Sequence, residues 1–199
     1  QDKDRVFAES ESGACELIHL EAEDFEYIAG FDLVHSSVYS HLESQLPQIR
    51  QYSKKLSFDF SDRHDLERLQ KVGPYIDYAF LSCSEISIEE QGKRMDQLLE
   101  LGASLVVATR GKAGSWAKTE RNSWHQGSLP ANVVDTLGAG DAFIAALLMN
   151  YSADGDLAKA MYAGAAYAAR ACEHYGGWGH GVPISQMGKL RLLERRKSV

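Results

Sequence analysis

The residues best suited to chemistry form a turn of small residues that leads directly into a helical segment. Gly138, Ala139 and Gly140 carry little or no side chain, and Asp141 follows them at the start of an apolar run that extends to Leu148. The first turn of a helix presents backbone N–H groups without intrahelical acceptors, together with the positive end of the helix dipole. Such a turn suits a phosphate group or a developing oxyanion. The same positive field favours a negative charge on Asp141, which could accept a proton from a nearby hydroxyl group.

A purely structural interpretation of this segment stays open on the residues alone. Asp141 would then cap a helix, which the apolar residues 142–148 predict to be buried on nearly all sides, and the glycines would form an ordinary turn. Familiar phosphate-binding motifs do not decide between the two. The sequence contains no G-x-x-x-x-G-K-[ST] loop, and Gly138-Ala139-Gly140 lacks the third glycine of a G-x-G-x-x-G motif.

The elements that must position this turn are short apolar runs that alternate with helical segments. Alternation at this spacing predicts an α/β fold whose sheet is mostly parallel. Pro47 is unfavourable in the middle of one predicted helix, because a proline interrupts the hydrogen bonds of a helix interior. Strands are predicted at residues 32–36, 56–60, 75–81, 105–108, 115–118 and 123–126, and helices at residues 21–29, 41–52, 66–72 and 86–101.

Polar residues directly follow several of the predicted strands, and ligands of parallel sheets bind beyond the carboxyl ends of the strands. We therefore expect a site built from Ser36-Ser37 and residues 59–63, 82–85 and 109–111. The histidines, including His35, show no metal-ligand spacing and are interpreted as surface or packing residues.

Composition limits the classes of protein to which the chain can belong. Its 199 residues are 44 % hydrophobic and 25 % charged, which is typical of a globular protein. The net charge of −7 at pH 7 argues against a nucleic-acid partner, since phosphate contacts need a basic face. No apolar run reaches the roughly 20 residues that span a bilayer, so no membrane partner is expected. Cys15, Cys83 and Cys172 lie far apart, which favours reduced thiols and a cytoplasmic location.

Four segments resemble the ribokinase-like (PfkB) carbohydrate kinases, and they occur in the order of that family. Residues 135–141, Asp-Thr-Leu-Gly-Ala-Gly-Asp, resemble the signature D-T-x-G-A-G-D. Residues 109–114 resemble the T-x-G-x-x-G nucleotide loop. Residues 82–85 stand where the family has N-x-x-E, with Ser82 in place of Asn, and residues 59–63 stand where it has D-x-N-x-R, with Ser61 in place of Asn.

The resemblance implies a three-layer α/β/α sandwich and transfer of the γ-phosphoryl group of ATP to a primary hydroxyl of a sugar. Asp141 would be the catalytic base, and Gly138, Ala139 and Gly140 would form the anion hole. Positioning and charge neutralisation dominate such transfers. Glu85 would organise Mg²⁺ near the phosphates. The nucleotide loop would be lined by Thr109, Gly111 and Gly114. Arg63 would contact a phosphate or the sugar, unless it forms a surface salt bridge.

A monovalent cation is a further implication of the resemblance, because many family members bind one beside the anion hole. Asp135 matches the side-chain ligand of that cation. Carbonyl groups near Leu137 and in residues 171–180 would complete the site, so potassium is an expected additional cofactor. On the residues alone, Asp135 is an ordinary turn residue.

The substrate that the resemblance implies is a ketose. Residues 31–35, 58–62 and 174–179 are most similar to family members that act on fructoselysine, for which 6-phosphorylation is expected. The alternatives are 2-keto-3-deoxygluconate, fructose or another ketose. A non-catalytic, nucleotide-binding fragment that retains Asp141 by descent is also open.

The domain organisation that the resemblance implies is incomplete at the N-terminus. Residues 1–18 resemble the returning part of a β lid, and residues 19–199 resemble the nucleotide-binding and catalytic part of a single kinase domain. A preceding segment of about 80–100 residues, with substrate-binding strands, is therefore expected. Relatives often dimerise through lid strands, so a homodimer contact is expected within residues 5–18.

Overall fold

Residues 18–177 are described by the computed structural model, and within them six strands form one mixed sheet whose spatial order is the order of the chain. The first four strands are parallel, and the last two extend the sheet as an antiparallel hairpin. The strands are β1 (Val34–Ser37), β2 (Leu56–Asp59), β3 (Tyr78–Ser82), β4 (Leu105–Thr109), β5 (Ser115–Lys118) and β6 (Ser123–Gln126). The helices are α1 (Ala22–Ile28), α2 (Leu46–Tyr52), α3 (Leu66–Val72), α4 (Ile88–Glu100), α5 (Ala139–Asp154) and α6 (Leu157–Ala171).

The sheet is covered on both faces, and each face has its own hydrophobic core. Helices α1 to α4 pack on one face around Phe58, Leu81 and Val106. Helices α5 and α6 pack on the other face around Phe80 and Val107. Successive residues of a strand point to opposite faces, which is why Val106 and Val107 belong to different cores. The three-layer α/β/α arrangement is therefore confirmed for the described residues.

The two largest differences from the predicted element boundaries both lie near a proline. Helix α2 begins at Leu46 rather than at residue 41, because Pro47 fits the first turn of a helix, where its missing N–H is not needed. His41 instead has a left-handed backbone with φ 54°. Strand β3 begins at Tyr78 rather than at residue 75, since Gly73–Tyr75 form a short 3-10 helix that contains Pro74.

Side chains fix where three of the helices begin. Asp65, Ser87 and Asp156 each accept a hydrogen bond from the backbone N–H three residues further along, which satisfies a donor that the helix leaves free. Gly155 ends α5 with φ 72°, a conformation that glycine adopts without strain. None of the helices in residues 18–177 is long and apolar enough to cross a membrane.

Helices α5 and α6 pack closely against each other because a glycine lies at their contact. A Cβ atom on Gly164 would lie 2.9 Å from the ring of Phe143 and 3.1 Å from its carbonyl oxygen. The prediction that α5 is buried on nearly all sides is wrong in part, since Met149 is 74 % exposed. The helix buries Phe143, Leu147 and their neighbours against α6 and the sheet, and leaves a second side open.

Candidate active site

The carboxyl ends of β2, β3 and β4 are tied together by backbone hydrogen bonds. The N–H of Ser82 donates to the carbonyl of Ser61 over 2.7 Å, and the N–H of Cys83 donates to the carbonyl of Thr109 over 2.8 Å. Three of the polar segments expected to form a site therefore meet at one edge of the sheet. This meeting follows from the parallel register, which places the ends of neighbouring strands side by side.

The small-residue turn presents free donors at the start of α5. Gly138 has φ 79°, and a Cβ atom there would lie 2.8 Å from the Cα of Gly177, so only glycine fits. The N–H of Ala139 donates to the carbonyl of Thr136 over 3.2 Å. The N–H groups of Gly138, Gly140 and Asp141, by contrast, have no hydrogen-bond acceptor among residues 18–177. The helix start can therefore receive an anion.

Asp135 ties this turn to the segment that follows α6. Its Oδ1 accepts from the N–H of Leu137 over 3.1 Å, and its Oδ2 accepts from the N–H of Gly176 over 2.9 Å. The residue is only 5 % exposed. Asp135 thus has a structural role, and its carboxylate and the nearby carbonyl of Leu137 are oxygen donors of the kind that hard cations prefer. Trp178 and the rest of the expected 171–180 loop beyond residue 177 lie outside the described residues.

Asp141 is exposed, and its charge acts on two groups at the ends of β1 and β2. Burial raises the pKa of Asp59 to about 6, and the negative charges of Asp141 and Asp62 add to the rise, against a hydrogen bond from the N–H of Ser61. Burial lowers the pKa of His35, while the charge of Asp141 acts in the opposite direction. The structure therefore groups Asp141 with Asp59 and His35.

The structure agrees with the interpretation of His35 as a surface or packing residue, because its side chain is partly exposed and its ring packs edge-on against Phe80, although it also lies near Asp141. Its Nδ1 lies 2.8 Å from the hydroxyl of Ser57, and that hydroxyl donates to the carbonyl of Val34 over 3.2 Å. Nδ1 must then be the donor, which leaves Nε2 of the neutral ring as an acceptor. Its place in the first predicted strand is the sequence feature that brings it near the polar end of the sheet.

We expect Asp59→Asn to stabilise the folded protein at pH 8 and to have little effect near pH 4. The pKa of Asp59 rises from 3.8 to about 6 on folding, so the folded state binds its proton more tightly than the unfolded state. The wild type therefore loses stability as pH rises from about 4 to about 6, and a neutral amide avoids a loss on the order of 2 kcal/mol. Urea unfolding of both proteins at pH 4, 6 and 8 measures this difference. A stability gain that is equal at all three values would contradict it.

The predicted nucleotide loop lies next to the loop that follows β3. Gly111 has φ 51°, and a Cβ atom on it would reach 4.0 Å from Oγ of Ser84. Gly114 has φ 95°, and a Cβ atom there would lie 2.3 Å from the carbonyl oxygen of Gln126, so this glycine is required where the loop meets the β5–β6 hairpin. Thr109 ends β4 and its hydroxyl donates to the carbonyl of Leu81 over 3.4 Å.

Glu85 offers a free carboxylate at the same edge. It is exposed and makes no hydrogen bond or ion pair with residues 18–177. No group of three His, Cys, Asp or Glu side chains in that range comes together to hold a metal ion. Magnesium commonly binds through one or two carboxylates together with substrate phosphates and water, and Glu85 fits that kind of site.

Arg63 forms no salt bridge with any of residues 18–177, so its alternative interpretation as a surface salt bridge is not supported there. Its guanidinium lies 4.9 Å from the centre of the Tyr39 ring, a cation–π contact. The hydroxyl of Tyr39 donates to Oγ of Ser61 over 3.3 Å. Ser61 has φ 52°, which is unusual for a residue other than glycine, asparagine or aspartate. Arg63 is therefore held at the end of β2 with its charge available.

Comparison with known proteins gives concordant results. A sequence profile described as pfkB family carbohydrate kinase matches residues 5–182. The chain is 37 % identical to a fructoselysine 6-kinase of Shigella flexneri over 89 % of its own length and 67 % of that protein. It is 38 % identical to a fructosamine kinase of Bacillus subtilis (strain 168) over 90 % of its own length and 64 % of that protein.

A solved structure shows the same fold. A microbiome-derived acarbose kinase superimposes with a TM-score of 0.69 at 26 % identity, over 83 % of this chain and 57 % of that one. The expected ribokinase-like α/β fold is thereby confirmed. The chain spans about two thirds of the length of the curated relatives and less of the solved structure.

Proposed function

The chain belongs to the pfkB family of carbohydrate kinases, and on that basis we propose that its protein transfers the γ-phosphoryl group of ATP to a primary hydroxyl of a ketose-type sugar. The observation that carries the proposal is the start of α5. There an exposed Asp141 adjoins the N–H groups of Gly138 and Gly140, which have no hydrogen-bond acceptor among residues 18–177. A proton acceptor beside an anion-binding turn is what phosphoryl transfer to a hydroxyl requires.

Asp141 accepts the proton of the attacking sugar hydroxyl, so that the oxygen attacks the γ-phosphorus as the bond to ADP breaks. The N–H groups of the turn stabilise the charge on the transferring group, in a preorganised geometry that needs no rearrangement. Thr109, Gly111 and Gly114 line the nucleotide loop, and Arg63 meets a phosphate or the sugar. Bound Mg²⁺ would neutralise phosphate charge, and Glu85 would orient it.

Fructoselysine is the substrate that we propose, with phosphorylation at its 6-hydroxyl. The support is the identity of 37–38 % with relatives named fructoselysine 6-kinase and fructosamine kinase. Other ketoses, including fructose and 2-keto-3-deoxygluconate, are the alternatives within the family. A nucleotide-binding fragment without activity is the alternative outside it.

The test is ADP release by this chain with MgATP and potassium, measured with fructoselysine and with a panel of other ketoses. We expect release that depends on fructoselysine. Release with a different ketose would replace the substrate, and release with none would favour the non-catalytic fragment. Reactions in sodium or in choline chloride test potassium, for which we infer Asp135 and the carbonyl of Leu137 as ligands.

A homodimer through residues 5–18 is a further part of the proposal, and it rests on the family resemblance alone. Most of these residues, like the lid assigned to residues 1–18, lie outside the described residues. Sedimentation of the chain with and without residues 1–18 measures the mass of the assembly. We expect the mass to halve on deletion, and an unchanged mass would contradict the dimer contact.

A further inference from the structure

The loop Ser82–Glu85 must be positioned through its backbone, because Glu85 has no side-chain partner among residues 18–177. Ser82 is the last residue of β3, and the backbone N–H groups of Ser82 and Cys83 donate to the carbonyls of Ser61 and Thr109. An exposed carboxylate on such a loop is directed toward a metal only if the loop itself is rigid. The side chains that hold the loop are therefore candidates for a role in metal binding.

The side chains of His64 and Arg110 bind two of the four backbone carbonyl groups of the loop. Nε2 of His64 lies 2.8 Å from the carbonyl oxygen of Ser82, and Nη1 of Arg110 lies 2.6 Å from the carbonyl oxygen of Cys83. His64 is 2 % exposed and Cys83 is fully buried. Bonds to a short loop in a buried setting are stronger and more rigid than bonds exposed to water.

The tautomer of His64 is fixed by Arg94 of α4. A guanidinium can only donate, and Nη1 of Arg94 contacts Nδ1 of His64, so Nδ1 accepts. Nε2 then carries the hydrogen and donates it to Ser82. Arg94 is itself held by Glu90, with Nε 3.0 Å from Oε1. The ring is thus held in the one orientation that supports the loop.

Arg110 is held in a comparable way by the same helix. Its Nη1 also donates to Oε1 of Gln91 over 3.3 Å, and Gln91 is 3 % exposed. Gln91 and Arg94 are three residues apart on α4, so they lie on one face of the helix. Arg110 belongs to the nucleotide loop as well, because its N–H donates to the carbonyl of Gly114 over 2.9 Å. One arginine therefore joins the two loops.

We propose that His64 and Arg110 are positioning residues that hold the Ser82–Glu85 loop in the form in which Glu85 acts on nucleotide-bound magnesium. The inference rests on the proposed function. Neither side chain needs to touch substrate, and each acts through a carbonyl of the loop. Their loss should weaken the response to magnesium while leaving metal-free nucleotide binding in place. Outer partners of metal sites typically change metal affinity by about 10–100-fold.

The test is calorimetric titration of the whole chain with ADP, with and without Mg²⁺, alongside the Mg²⁺ dependence of ADP release. Mg²⁺ is expected to increase the affinity of the wild type for ADP. We expect this increase to be about tenfold smaller in His64→Leu and in Arg110→Met. His64→Gln keeps an Nε2 donor and should recover most of that gain. The control is Arg50→Met, which removes an ion pair to Asp77, beyond the opposite end of β3.

The outcomes separate the inference from the function on which it rests. A wild type that binds no ADP in either condition overturns the proposed function, and the inference with it. A wild type with a normal Mg²⁺ response and variants with the same response overturn the inference alone. Thermal unfolding is measured for every variant. If His64→Leu folds poorly, the inference is tested by comparing the Mg²⁺ response of Arg110→Met with that of the control Arg50→Met. Equal Mg²⁺ responses of these two variants overturn the inference.

Discussion

Asp141→Asn should lower kcat for sugar phosphorylation by about 10³-fold, near the middle of the range for loss of a general base. The amide has nearly the same shape as the carboxylate and cannot accept the proton of the sugar hydroxyl. The affinity for MgATP should change little, because the N–H groups of Gly138 and Gly140 remain. The measurements are steady-state ADP release and, without sugar, calorimetric titration with MgATP.

The matched control for this substitution is Asp154→Asn at the opposite end of the same helix. Asp154 is exposed and pairs with Lys159 at 2.5 Å, so its change tests the loss of one acidic group from α5 without disturbing the site. Turnover of this control should equal that of the wild type. If Asp141→Asn also retained wild-type turnover, Asp141 would not be the base.

Gly138→Ala should destabilise the protein and remove most activity, because the two atoms that it would approach belong to backbone. Its Cβ would lie 2.8 Å from Cα and 2.9 Å from O of Gly177. The left-handed backbone at φ 79° adds a cost of about 1–2 kcal/mol for any residue with a Cβ. Urea unfolding measures the stability, and ADP release measures the activity, which should fall by at least about tenfold as the donors of the turn shift.

Gly140→Ala tests whether the phosphoryl group occupies the space next to the turn, because this substitution adds a methyl group there without straining the backbone. A Cβ on Gly140 meets nothing within 4 Å, and its φ is not in the left-handed region. Stability should therefore hold or rise by up to about 1 kcal/mol, as for other Gly→Ala changes in helices. Activity should still fall, because the new methyl group occupies space that the phosphoryl group needs. Gly92→Ala in α4 also meets open space and should leave activity unchanged. Full activity of Gly140→Ala would place the phosphoryl group elsewhere.

Sequence patterns predicted elements whose ends carry local signals. Helix α3 and strands β5 and β6 occur at the predicted residues, because Gly73-Pro74 and short polar turns bound them. The predicted start of α2 was wrong. Pro47 breaks a helix when it lies in the interior and favours a helix when it lies in the first turn, and the sequence alone did not show which position it holds. Hydrophobicity likewise predicted a buried α5 without indicating which side faces the solvent.

The composition of the site depended on contacts that no local pattern contains. Asp59 and His35 come near Asp141 only because β1 and β2 lie beside the start of α5, which is about 80 residues after the end of β2 and about 100 after the end of β1. His64 resembles any other loop histidine until Arg94 and Ser82 are placed around it. The motif residues, Asp59 among them, could be predicted because each motif is a pattern of adjacent positions, whereas the contacts that His64 and Arg110 make with the Ser82–Glu85 loop could not.

The sheet of residues 18–177 has a consequence for how the chain folds during synthesis. Each strand pairs with the strand made just before it, so the sheet can grow in the order in which residues leave the ribosome. The face that carries Phe80 and Val107 stays uncovered until α5 and α6 have been made. The nascent chain is therefore most prone to aggregate in the interval between completion of the β5–β6 hairpin and the synthesis of α5 and α6.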